Sequence, residues 1–164
     1  MNGKLLIPIL LYLVWFGSSV LAQGFANLGR TAEGFSEPQR GYTFDFPKDH
    51  GAHPDFQIEW WYLTANLKDD NGRDLGLQWT LFRSALAPES TQNWSSPQIW
   101  MGHAAITTPD AHFVAERLSR GGIGQAGVTA APFDAWIDDW QMTGETLDAV
   151  TLSASGEDFA YEVD

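Results

Sequence analysis

Five side chains within eleven residues could do chemistry: Asp49, His50, His53, Asp55 and Glu59. Histidines flanked by carboxylates can ligate a metal. They can equally form a hydrogen-bonded network that staples a loop. No third histidine or cysteine is adjacent and no His-Glu-x-x-His occurs, so the spacing alone carries no metal site. The loop itself favours the network, because Gly51 and Pro54 exclude regular helix and leave backbone donors that must be satisfied locally. Nothing in the chain asks for a cofactor. Glu59 differs from the other four, since it opens the run Glu59-Trp60-Trp61-Tyr62. A carboxyl set among aromatic rings is desolvated, which raises its pKa and suits it to act as an acid.

The elements that hold these residues read as strands. From Ile58 to Leu67 the residues have high β-propensity, and alternation puts Glu59, Trp61 and Leu63 on one face and Trp60, Tyr62 and Thr64 on the other. Asn71-Gly72 then predicts a type I′ hairpin turn. The return strand, Leu75 to Ala85, lines up Leu77, Trp79, Leu81 and Arg83. Arg83 either snorkels at the rim of that apolar row or is a buried cation that needs a carboxylate such as Glu59.

Further strands are expected at Tyr42–Phe46, Ile99–Thr107, Phe113–Leu118, Asp134–Met142, Leu147–Ser155 and Phe159–Asp164. In the second of these, small residues surround His103 and allow close approach of a backbone or a ligand, although such a histidine is more often a satisfied core residue than a base. If Asp134–Met142 is one strand, Asp138 lies between Trp136 and Trp140 on a single face, a second carboxylate among indoles. Residues 119–132, rich in glycine and alanine, read as a long connection.

Lys4, the apolar run Leu5–Phe16 and small residues at Val20 and Ala22 predict an export signal over 1–22, with 23–41 an arm and 42–164 the domain. The apolar run is shorter than the roughly 20 residues a membrane span needs. The mature chain then has no membrane span and is periplasmic or extracellular. No cysteine occurs, so the exported domain has neither disulfide nor lipidated thiol. Its stability must come from burial, and seven of its eight tryptophans lie beyond the signal. A formal charge of −12 disfavours nucleic acid and anionic membrane surfaces as partners. Gly-x-Ser-x-Gly is absent, which argues against conventional serine hydrolysis.

Six blocks in order carry a family resemblance: Phe46-Pro47-Lys48-Asp49-His50-Gly51-Ala52-His53-Pro54 with Glu59-Trp60-Trp61-Tyr62, Leu81-Phe82-Arg83, His103-Ala104-Ala105-Ile106-Thr107, Glu116-Arg117-Leu118-Ser119-Arg120, and Trp136-Ile137-Asp138-Asp139-Trp140. From about residue 42 onward the chain resembles the lipocalin-like family of carotenoid 1,2-hydratases and predicted secreted hydrolases. The resemblance implies an all-β, lipocalin-like antiparallel β-barrel, incomplete or the first of two tandem barrels, whose partners are an apolar small molecule and a second lipocalin-like domain. It implies a prenyl- or lipid-like ligand, bound and hydrated or hydrolysed; the alternative is a cell-envelope protein that binds such a ligand without turnover, or a structural one whose aromatics are merely core. Hydration needs an acid and aromatic faces for the cation. On that reading Glu59 and Asp138 are the candidate acids, and Trp60, Trp61, Tyr62, Trp79, Arg83, His103, Trp136 and Trp140 the candidate ligand-contacting residues. The Gly-x-Trp of small lipocalins is missing, and Glu59-Trp60-Trp61 stands in the early strand instead.

Overall fold

The structure is a computed structural model that describes residues 33–88 and 93–164. The predicted signal and most of the predicted arm lie outside the described residues. No α-helix occurs among the described residues; nine strands form two antiparallel sheets. Sheet one contains β1 (Ile58–Lys68), β2 (Asp74–Ala85), β3 (Gln98–Thr107) and β4 (His112–Arg120), in that order. Sheet two contains β5 (Ala126–Ala130), β6 (Phe133–Ile137), β7 (Trp140–Thr146), β8 (Ala149–Ser155) and β9 (Ala160–Val163). Both sheets are meanders, the arrangement expected of consecutive hairpins with short turns. They do not close into a barrel, so the chain has the form of an incomplete lipocalin-like barrel.

Period-two alternation builds the core. From sheet one come Leu77, Trp79, Leu81, Trp100 and Ala104; from sheet two come Phe133, Ala135, Ile137, Trp140, Met142 and Leu152. Each large side chain so buried contributes roughly 1.5–3 kcal/mol. Gly102 explains how closely the sheets meet. A Cβ there would lie 2.8 Å from Ile137 Cγ2 and 3.2 Å from the Trp140 ring, so the small residue beside His103 admits the other sheet. Polar ties finish the contact: Tyr161 Oη donates to the Gln78 carbonyl at 2.8 Å, and the Arg117 guanidinium lies 4.6 Å over the Trp140 ring. Burial pushes the Tyr161 hydroxyl far above its ordinary pKa.

Four sequence expectations change. Tyr42–Phe46 is irregular rather than a strand. Its aromatic rings pack on one another in series, Tyr42 edge-on to Phe44 and Phe44 stacked on Phe46, without a neighbouring strand. The 119–132 segment contains β5, whose alternation is too short to show against its glycines. At the β1–β2 turn Gly72 has φ +80°, but Asn71 is not in the left-handed region. The Asp69 carboxylate replaces the type I′ geometry by accepting from the Asn71 and Arg73 amides and from Arg73 Nε at 2.7 Å. Those bonds, the Arg73 amide first, hold its pKa below the usual carboxylate range. Finally, Asp134–Met142 is a hairpin, with Ile137 paired to Trp140 across a turn at Asp138-Asp139. The turn reverses the chain, so Trp136 and Trp140 fall on different faces.

Candidate functional site

The loop before β1 is organised by a 3-10 turn, Lys48–His50, that seats on the end of β5. Gly51 permits the seating, since a Cβ there would stand 3.2 Å from Ala130 Cβ and 3.3 Å from the Lys48 carbonyl. Asp49 faces back into the loop, where one carboxylate oxygen accepts from the Asp45 amide at 2.7 Å and the Tyr42 hydroxyl at 2.9 Å. Its other oxygen lies 3.2 Å from His53 Nε2. The opposite ring nitrogen, Nδ1, lies 2.7 Å from Glu59 Oε1. An imidazole with a carboxylate oxygen at each nitrogen is best satisfied when both nitrogens carry protons. Desolvation acts to lower the His53 pKa, but hydrogen bonds and charge from Asp49 and Glu59 outweigh it and raise it above the ordinary value. The Asp45 amide, with His53 and Tyr42, lowers the pKa of Asp49 against its own desolvation.

Glu59 is the hub. Its oxygens accept from the His53 amide at 2.8 and 3.0 Å and from Arg83 Nε at 2.9 Å, in addition to the His53 ring. Arg83 is a buried cation rather than a snorkelling one, with a side chain only 2% exposed. Besides Glu59 it donates to the carbonyls of His53 at 2.9 Å and Phe56 at 2.6 Å and to Gln98 Oε1 at 2.5 Å. One guanidinium thus ties β2, the loop and β3 together. Asp55 takes part through its backbone alone, its carbonyl accepting from the Ser36 amide. His50 contributes its carbonyl to Trp61 Nε1 at 2.9 Å and stacks its ring on Phe46.

Across Arg83 and Gln98 the sheets part into a cleft of about 440 Å³. Its walls combine Trp100 of β3, the glycines of the β4–β5 connection, Ala126 to Val128 of β5 and Trp136 of β6. Trp136 is fixed by donation of its indole N–H to the Gly124 carbonyl at 3.0 Å, and it lies over Gly127, where a Cβ would come within 2.6 Å of the ring. A shallower pocket of about 280 Å³ on the other side is lined by Asp49, His53, Glu59, Trp60 and Trp61.

The structure therefore gathers some expected residues and separates others. Glu59, Arg83, Asp49 and His53 meet, and Trp61 stacks on Trp100 beside them, with ring centroids 5.9 Å apart. Trp60 and Tyr62 stand on the exposed outer face of sheet one, Trp60 stacked on Phe82. His103 shares that face, 3.6 Å from Glu116. Trp79 and Trp140 are wholly buried in the core, and Trp140 donates to the Ser155 carbonyl. Asp138 is exposed at the tip of the β6–β7 turn with φ 52°, so it is not flanked by two indoles. Ser96, Gln98, Trp100 and Gly121–Gly127 were not singled out by sequence reasoning; the density of glycine after β4 is the signal that could have marked them. Burial also raises the pKa of Asp134, whose Oδ1 has no partner among the described residues. No cluster of three or more metal-ligating side chains occurs among the described residues, and none of their helices is long and apolar enough to cross a membrane.

Two antiparallel meanders around an aromatic core, parted at one end beside a buried ion pair, define a lipocalin-like protein. A family model described as AttH-like matches residues 37–164, and the chain belongs to that family. The crystal structure at 2.00 Å of a protein from Nitrosomonas europaea, provisionally described as an AttH, superposes with a TM-score of 0.67 at 30% identity. The alignment covers 78% of this chain and 39% of that one, so the chain spans well under half of its structural relative. No curated protein matches.

Proposed function

We propose that this chain is an exported lipocalin-like domain that binds an apolar, prenyl- or lipid-like small molecule in the cleft between its sheets. The observation that carries the reading is the cleft itself, which opens between indoles of opposite sheets beside a packed aromatic core. Apolar pockets with a few placed polar groups are the usual form of small-molecule sites. Export rests on the leader-like sequence over 1–22. A second lipocalin-like domain as partner rests on the sequence resemblance and on the greater length of the Nitrosomonas europaea protein.

Binding without turnover is favoured over hydration by the state of Glu59. Its oxygens are committed to the His53 amide, the His53 ring and the Arg83 guanidinium, so the carboxylate is engaged by the clamp and not aimed into the cleft. In the family the chain resembles, hydration then needs an acid from outside this cluster. Titrating the full chain with a prenyl alcohol such as geraniol should quench tryptophan fluorescence saturably, and Trp136→Ala should weaken the affinity. Absence of saturable quenching removes the binding reading. Recovery of a hydrated product by mass spectrometry moves the protein to the enzymes.

A further inference from the structure

Resting on the cleft reading, we infer that the ligand carries an oxygen acceptor, a carbonyl or carboxylate, at the end that enters between β3 and the β4–β5 connection. Trp100 and Ser96 are 5% and 7% exposed, yet neither the Trp100 indole N–H nor the Ser96 hydroxyl proton has an acceptor among the described residues. The Ser96 oxygen itself only accepts, from the Gln98 amide at 3.4 Å. Gln98 gives its carbonyl oxygen to Arg83, which leaves its side-chain NH₂ without an acceptor among the described residues. Gly121 lets the chain pass close beside these donors: a Cβ at that position would stand 2.7 Å from Gln98 Cβ, 3.1 Å from Trp100 Nε1 and 3.2 Å from Ser96 Oγ.

The Trp100 indole N–H, the Ser96 hydroxyl and the Gln98 side-chain amide all line one cleft, where a few placed polar groups fix the orientation of a ligand. Two of the three belong to residues more than nine-tenths buried. A ligand oxygen among these three donors supplies the acceptor they lack. An ammonium or another donor-only head is matched less well, since the Gln98 oxygen is held by Arg83 and the Ser96 oxygen accepts from the Gln98 backbone amide. Arg83 adds positive character at the cleft wall, although Glu59, Gln98 and the His53 and Phe56 carbonyls engage its N–H donors.

The test is calorimetric, on the full chain, with four probes that share one apolar body: naphthalene, naphthoate, acetylnaphthalene and naphthylmethylammonium. Naphthoate and acetylnaphthalene should bind roughly tenfold or more tighter than the ammonium, the ratio expected if one buried hydrogen-bonding site is matched in one case and mismatched in the other. Trp100→Phe, which keeps a ring in place but removes the N–H, and Ser96→Ala should each weaken the two oxygen-bearing probes by roughly three- to tenfold more than they weaken naphthalene. Equal affinity for all four probes, or variants that bind them as the natural chain does, overturns the acceptor-head inference while the cleft reading stands. Failure of all four to bind overturns both. Where naphthoate binds and acetylnaphthalene does not, the head is a carboxylate; the reverse assigns a neutral carbonyl.

Discussion

The clamp around Glu59 and the cleft beside it share Arg83 and Gln98 but differ in how their polar groups are matched. In the clamp, Glu59, Arg83, His53 and Asp49 are joined donor to acceptor, and one guanidinium reaches two backbone carbonyls, a carboxylate and an amide. In the cleft, Trp100 and Ser96 line the space, and neither the indole nor the hydroxyl proton has an acceptor among the described residues. A closed polar network holds one arrangement, whereas donors that line a cleft are left to solvent or a ligand. The unusual residues of the sequence belong to the first kind, and the ordinary ones, a serine, a glutamine and some glycines, to the second.

That contrast breaks most visibly at Arg83. Arg83→Leu should strip the Glu59 carboxylate and two carbonyls of their donors and cost about 3–5 kcal/mol in urea unfolding, the usual penalty for removing one half of a buried pair. A loss below about 1 kcal/mol places the clamp among surface ion pairs instead. Gly102→Val should cost about 1–3 kcal/mol by overpacking against Ile137 and Trp140, without altering the polar groups of either region.

A pH series separates the clamp from the cleft. Because His53 has a raised pKa when folded, its contribution is fully present below its ordinary value of 6.5 and is lost as pH rises through the higher folded value. The advantage of the natural chain over His53→Gln should therefore shrink as the medium is made alkaline. Asp49 runs the other way: its lowered pKa gives stability above the ordinary 3.8 that is lost as pH falls through the folded value. A difference between natural chain and variant that stays flat from mildly acid to alkaline pH removes the imidazolium bridge. The smallest effect is expected at Asp138→Asn, since both residues tolerate positive φ and the side chain is exposed. Stability should move by less than about 0.5 kcal/mol and ligand affinity not at all; a loss of binding or turnover would return Asp138 to the site.

Much of the fold is legible in residue order. Alternation along β1 and β2 assigns the inward faces, including the row that ends in Arg83, and the hairpin at Asp69–Arg73 is found although its geometry is set by the Asp69 carboxylate. Trp136-Ile137-Asp138-Asp139-Trp140 misleads because a two-residue turn inverts the parity of an alternating pattern, and neither a glycine nor a proline marks it. Ile137 and Trp140 are both core residues, yet a continuous strand would put them on opposite faces, and Trp136 and Trp140 together.

By itself the sequence determined an all-β chain with aromatic-rich strands and a self-stapled loop of histidines and carboxylates, and left Arg83 open between a rim residue and the buried cation that the structure shows it to be. The first two follow from local propensity and from backbone donors that must be satisfied nearby, which act over a few residues. Tertiary structure alone decided that Glu59 is spent on Arg83 and His53, that Asp138 turns outward, and that Ser96, Gln98, Trp100 and Gly121 face one space. The physical reason is that a cleft between two sheets is made by residues distant in the chain, and whether a donor has a partner depends on what the opposite sheet brings within about 3 Å of it.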